Sequence, residues 1–400
     1  MLALHPARDG LVARFRLPGG YATRPRWRAL ATLSRQFGDG CLDLTARGNV
    51  QVRGLREQDA AALAARAARL GLLPSTEHDR ARNITASPLA GLGGRPPLRR
   101  LVTTLDDALL ADPALATLPG RFLIAADDGT GGAGLASCDL GLRARPSPAA
   151  PPGSEAAGPG DDPARYAPPP RLAAAFDLIV AGRETGLTVP AVHAAAVILA
   201  AARDALAQGV GATVTRIAAL PDGGQAVAAA RGGILGDQIP ADTRLPLGLV
   251  VPGVPPLSPP PPDGPLRDYG ALAVAAPLGR LTVAQARLIL SLLRPRETMR
   301  IGIAGRLVIP LAVPPDAALR ALRAAAIPCT AADPLAGVTA CSGAACARSL
   351  ADVRPAARPV PGYPATHWAG CSRLCGCPPD AEPVVALDAT RYRAGDKVLT

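Results

Sequence analysis

Two periods of polar and apolar residues alternate along this chain, and the switches between them mark out its elements. Near the N-terminus, Val12–Gly19 reads as a strand and Pro25–Phe37 as an amphipathic helix; Leu42–Leu55 then reads as a strand and Gln58–Leu70 as a helix. The same order returns later, as a strand over Leu272–Gly279, a helix over Thr282–Leu293, a strand over Met299–Val313 and a helix over Pro315–Ala326. Thr23 and Thr282 both stand where a helix N-cap would fall. Leu42–Val52 can be laid over Met299–Ile309, which puts Gly48 opposite Gly305. This echo predicts a duplicated α+β unit whose two sheets pair.

A different region follows each half. After the first comes an α/β stretch with strands in Arg121–Gly132, Cys138–Ala144 and Asp177–Gly182, then a long helix over Pro190–Gln208. After the second comes a short segment that holds most of the cysteines. Proline removes a donor and fixes φ, so the proline-rich stretches 145–170 and 251–265 are expected as long surface loops. The expected division is a first half over 1–75, an α/β domain over 76–265, a second half over 266–328 and a short α/β domain over 329–400.

Hydrophobic residues make up 48% of the chain, enough for real cores, but aromatics are only 3%, so those cores must be aliphatic. The formal net charge is +11, and Lys397 is the only lysine. An arginine bias of this kind fits a GC-rich coding background, so each arginine has to be argued from its neighbours. No dense basic run with interleaved aromatics appears, and nucleic acid is not an expected partner. No stretch reaches the roughly 18 apolar residues of a membrane span, and Met1–Gly10 carries no apolar leader. A cytoplasmic protein is the expectation.

Of the eight cysteines, Cys341, Cys346, Cys371, Cys375 and Cys377 crowd into the last sixty residues. Clustered thiols in such a protein point to metal ligation before disulfides. Cys341 and Cys346 form a C-x4-C pair, and Cys371 and Cys375 form a C-x3-C pair, with Cys377 a spare thiol beside it. Four thiolates suit zinc or an iron–sulfur cluster. The spacings are wider than zinc knuckles, and Ser342, Gly343, Ala344, Ala345, Gly370 and Gly376 let backbone approach inorganic sulfide. A 4Fe–4S cluster is therefore favoured over zinc and over a metal-free remnant.

Three sites set arginine beside polar partners in apolar surroundings. Read as one strand, Leu44–Arg53 places Thr45, Arg47, Asn49, Gln51 and Arg53 on one face. The second site holds Arg82 and Asn83, and the third holds Arg121. The chain has only two asparagines, and both fall within two residues of these arginines. Arginine binds carboxylate as a rigid fork, so Arg47, Asn49, Arg53, Arg82, Asn83 and Arg121 are candidate contacts for a ligand with many carboxylates.

With LTARGNVQVRGL, RNITASPLAG, the Pro-x-Arg-Phe turn and the paired cysteines, the chain resembles the siroheme-dependent sulfite and nitrite reductase superfamily. Within it, DGLVARFRLPGG, ADPALATLPGRFLIAADDG and ACSGAACARSLADVR look most like the precorrin-3B synthases. The resemblance implies an α+β fold of two ferredoxin-like halves, related by a pseudo-two-fold axis, with two α/β domains around a central tetrapyrrole pocket. It implies that Arg47, Arg82 and Arg121 bind ring carboxylates, and that Cys375 is the ligand facing the ring. It further implies oxygen-dependent hydroxylation of precorrin-3A at C-20 with γ-lactone formation, a 4Fe–4S cluster, a mononuclear non-haem iron, and NADH as ultimate electron donor through an electron-donor protein. A siroheme reductase and a cluster-free tetrapyrrole-binding paralogue are the alternatives. Three positions depart from the pattern: C-x4-C stands for C-x5-C, Leu123 for a second basic residue, and Ile303-Ala304-Gly305 for a Thr-Pro-Trp-like step.

Overall fold

The computed structural model describes residues 4–145, 173–241, 245–248, 250–251 and 269–400. Apart from Arg145 and Val251, the two proline-rich stretches lie outside the described residues. The architecture is α+β, built on four five-stranded sheets.

Two of these sheets belong to the duplicated halves, and each borrows a strand from the other. The first runs Leu4–Ala7, Gly10–Phe15, Val50–Leu55, Cys41–Leu44 and then Arg280–Thr282. The second runs Val250–Val251, Ala271–Ala275, Arg306–Pro310, Thr298–Ile301 and then Tyr21–Thr23. The exchanged strands occupy matching places. Each follows a Pro-x-Gly turn (Pro18–Gly20 or Pro277–Gly279) and leads into a helix, Arg24–Phe37 or Val283–Leu292.

Both helices start where the caps place them. Thr23 accepts from the Arg26 backbone N–H at 3.5 Å. Thr282 makes a full capping box with Gln285, with bonds of 3.2 and 2.9 Å. The two helices pack together, and one of the few aromatics pins them: Trp27 is fully buried and donates from Nε1 to the Ala286 carbonyl at 2.8 Å. A single apolar core, including Phe15, Leu30, Val52, Leu281, Ile289 and Ile309, runs through both halves.

The long polar strand read over Leu42–Leu55 is a hairpin. Strands Cys41–Leu44 and Val50–Leu55 are joined by a turn in which Thr45 N–H bonds Asn49 O at 2.9 Å and Gly48 N–H bonds Thr45 O at 3.2 Å. Gly48 has φ +66, open to glycine at no steric cost. Its counterpart Gly305 has φ +71 and ends the turn that splits Met299–Val313 into Thr298–Ile301 and Arg306–Pro310. Alternating polarity simply continued through both turns and hid them.

The third sheet runs Arg183–Pro190, Ala175–Val180, Leu140–Arg145, Ile124–Asp127 and Ile84–Ala86. Helices Arg99–Leu110 and Ala194–Ala207 pack in its core. The fourth sheet holds Val338–Ala340, Thr366–Ala369, Glu382–Ala386, Tyr392–Ala394 and Lys397–Leu399. Its first three strands are parallel. Trp368 anchors it, fully buried, with its ring 5.0 Å edge-on from Tyr392.

Candidate functional site

Parallel strands leave a crevice beyond their carboxyl ends, and both cysteine pairs lie there. Cys341 directly follows strand Val338–Ala340, and Cys371 follows Thr366–Ala369. On those two strands Thr339 and His367 are register partners, and Thr339 Oγ1 lies 2.9 Å from His367 Nδ1. The facing wall is the hairpin turn of the first half. Between them opens a cavity of about 360 Å³, or about 1140 Å³ counted out through its mouth.

Four groups meet around this cavity. Arg14, Asp43, Thr45, Arg47, Asn49, Gln51 and Arg53 come from the first half. Leu278–Gly279 and Ala304–Gly305 come from the second half, Thr339 and His367 from the fourth sheet, and Cys341, Ser342, Arg354, Cys375 and Gly376 from the cysteine loops. The space thus touches an arginine cluster on one side and two thiols on the other.

Arg14 and Arg47 have no carboxylate partner among the described residues. Burial, then the neighbouring guanidiniums of Arg216, Arg14 and Arg121, pushes Arg47 down to about 10. No hydrogen bond or ion pair to a described residue holds its guanidinium. Arg14 is also lowered by burial, and the Gln51 amide, with its oxygen turned toward it, accepts from Nη2 at 2.7 Å. Arg216 is fixed by Asp139 at 2.6 Å. An anion entering here would relieve repulsion between like charges as well as gain charge-assisted bonds.

The six arginine and asparagine positions singled out by the sequence divide in three. Arg47 lines the cavity with its donors open. Arg121 is exposed and adds its charge beside Arg47 without lining the cavity. The other four are engaged in the protein. Arg82 is buried outside the cavity in a two-pronged pair with Asp106, both bonds 2.7 Å. Asn83 accepts from Arg16 at 3.3 Å and from Asn49 at 3.2 Å, and it donates to Gly120 O at 2.9 Å. Asn49 reaches the cavity wall, but its side chain bridges to Asn83 and Leu17 N–H. Arg53 grips Asp9 through two bonds of 3.0 Å. Sequence reading missed Arg14, Arg216, Arg354, Asp43 and Thr339. Each is one common residue whose place is set by contacts distant in sequence.

Cys341 and Cys375 line the cavity, and Cys346 and Cys371 lie in the same two loops. Burial, then the charges of Cys371, Cys341 and Cys346, pushes the Cys375 thiol up. The Cys341 sulfur accepts two backbone N–H groups, Gly343 at 3.4 Å and Gly370 at 3.3 Å. Such bonds stabilise a thiolate and tune an iron–sulfur centre. Space is tight at Gly370, and Gly343 has φ +59. A Cβ on Gly370 would sit 1.6 Å from Ser349 Oγ, and one on Gly343 would sit 2.5 Å from Asp352 Oδ1. Cys341, Cys346, Cys371 and Cys375 therefore fit an iron–sulfur cluster. The Cys377 thiol turns to the carbonyls of Pro378 and Ala381 instead. Among the described residues, no three His, Cys, Asp or Glu side chains converge on one metal ion, so no residues here are assigned to the expected mononuclear iron. No helix among the described residues is long and apolar enough to cross a membrane.

Residues 5–70 match the nitrite/sulfite reductase ferredoxin-like half domain. The ferredoxin–nitrite reductase of Synechococcus elongatus is 35% identical over 126 residues, 30% of this chain and 25% of that protein. The one of Leptolyngbya laminosa is 35% identical over 120 residues, 28% of this chain and 24% of the relative. A precorrin-3B synthase of Sinorhizobium is 49% identical over 47 residues, 12% of this chain and 10% of that protein. The matched segments thus span a quarter or less of these relatives' lengths. The Mycobacterium tuberculosis NirA structure superposes on 97% of this chain and 73% of its own, with a TM-score of 0.66 at 17% identity. The fold is therefore that of the sulfite/nitrite reductases, and residues 5–70 carry the sequence likeness to their ferredoxin-like half domain.

Proposed function

We propose that this chain is a precorrin-3B synthase-type monooxygenase. It would bind the acidic tetrapyrrole precorrin-3A beside a 4Fe–4S cluster and hydroxylate it at C-20. One atom of O2 enters the ring and the other leaves as water, with two electrons supplied ultimately by NADH. The observation that carries the reading is the shared cavity: Arg14 and Arg47 open on the same space as Cys341 and Cys375.

The roles follow from position. Cys341, Cys346, Cys371 and Cys375 would hold the cluster, which supplies single electrons when bound. Arg47 and Arg14, with Arg121 and Arg216 behind them, would anchor ring carboxylates. Thr339 and His367 form the polar floor beside Cys375. The synthase is preferred over a siroheme reductase because Leu123 stands where the reductases carry a second basic residue, and its side chain is buried among Ala125, Ala133, Leu135 and Ile179.

The test is turnover of precorrin-3A by anaerobically purified protein after admission of labelled oxygen. One labelled atom in the product supports the synthase. A tightly bound chlorin-like chromophore with nitrite or sulfite reduction would put the reductase reading in its place. That reading is favoured by the longer stretch of identity to the nitrite reductases.

A further inference from the structure

Arg53 lines the cavity, yet its guanidinium is fully engaged elsewhere. Nε and Nη2 bond the two oxygens of Asp9, each at 3.0 Å. Nε also lies 3.7 Å from Asp43. Nη1 reaches Ser342 Oγ at 3.5 Å, and Nη2 reaches the Ala345 carbonyl at 3.4 Å. The last two groups lie between Cys341 and Cys346. The Arg8 backbone N–H bonds the same Ala345 carbonyl at 3.0 Å. Asp9 sits with Arg8 in the tight turn between strands Leu4–Ala7 and Gly10–Phe15. Within the loop, Gly343 has φ +59, and Asp352 accepts the Ala344 N–H at 3.4 Å.

From this geometry we infer that Arg53 and Asp9 form a clamp that ties the N-terminal hairpin to the Cys341–Cys346 loop and fixes its two thiols for the cluster. Arg53 is then a positioning residue and not a ligand for a ring carboxylate. The inference rests on the cluster reading above. A loop with only four residues between its thiols has little backbone to shape itself, and the clamp supplies that shape from outside. Asp9 alone fixes both prongs of the guanidinium fork. It lies outside the cavity lining, so its removal breaks the clamp without touching the tetrapyrrole wall.

The experiment compares the wild-type chain with Asp9→Asn, Arg53→Gln and Arg53→Lys, each purified anaerobically. Three quantities are read: iron and sulfide per chain, affinity for uroporphyrin III as the acidic tetrapyrrole probe, and backbone hydrogen exchange over Ser342–Cys346. Asp9→Asn and Arg53→Gln should lower cluster retention about tenfold under a fixed chelator challenge. They should speed exchange in the loop by about tenfold, and Asp9→Asn, outside the cavity lining, should leave uroporphyrin affinity within about twofold of wild type. Arg53→Lys should rescue part of the cluster loss, because one prong remains. Weaker uroporphyrin binding in Arg53→Gln, with retention and exchange unchanged in Asp9→Asn, would overturn the clamp and return Arg53 to the ligand wall. A wild-type chain that takes up no iron would sink the cluster reading. The exchange comparison still decides the clamp in that case, since it needs no metal.

Discussion

The turns Thr45–Asn49 and Ile303–Gly305 are the same piece of backbone used twice. Each joins the third and fourth strands of its sheet, each holds a glycine at positive φ, and both border one cavity. One carries Arg47 and Asn49 where the other carries Ala304 and Arg306, and Arg306 turns away from the cavity to donate to the Ala336 carbonyl at 3.0 Å. Beneath each lies a Pro-x-Gly turn that sends a strand into the opposite sheet and a threonine-capped helix into the shared core. Both halves keep what the backbone needs, while the chemistry collects on one side: at the cavity the second half supplies shape through Leu278–Gly279 and Ala304–Gly305, and the first supplies charge.

The largest effect should come from the two crossover glycines. A Cβ on Gly20 would lie 2.0 Å from the Ile301 carbonyl oxygen, whereas one on Gly279 would find its nearest contact at 3.7 Å. Gly20→Ala should therefore cost more than about 3 kcal/mol, and Gly279→Ala only the strain of positive φ, about 1–2 kcal/mol. Denaturant unfolding measures both, and equal losses would mean that the halves are not packed as described.

Next comes the asymmetry of charge. Arg47→Ala should weaken uroporphyrin III binding by about 10- to 100-fold, while Ala304→Ser changes it little. Fluorescence titration reads both, and raised salt should shrink the difference because the cavity mouth is open to ions. The pH dependence has a definite sign. Arg47 keeps its charge below about 10, so affinity should stay level through neutral pH and fall only as pH rises toward that value.

The smallest effect separates the caps. Thr282→Ala loses a complete capping box and should cost about 1–2 kcal/mol, whereas Thr23→Ala loses one long bond and should cost about 0.5 kcal/mol. Thermal or denaturant unfolding distinguishes them.

Much of this frame was legible in the sequence. The helix starts, the doubled order of elements and the pairing of Gly48 with Gly305 all rest on local signals: a cap and a period. The strand exchange was not legible. Tyr21–Thr23 and Arg280–Thr282 are three residues each, too short to show alternation, and their partners are hundreds of residues away. The candidate site was legible in part. Arg47 stood out by its company, but the same argument reached Arg82, whose partner Asp106 lies on a helix 24 positions on. The neighbours of an arginine in sequence do not say which carboxylate will claim it in space. Arg14, Arg216 and Arg354 had no local mark at all.

Whether four thiols hold a cluster against the arginine-lined cavity, as proposed, is measured most directly by iron and acid-labile sulfide per chain after anaerobic purification, wild type beside Cys375→Ser. About four of each are expected per wild-type chain, with a visible band that dithionite bleaches, and a loss of most of both in the variant. Colourless wild-type protein without iron, or a variant that keeps its full complement, would contradict the proposal.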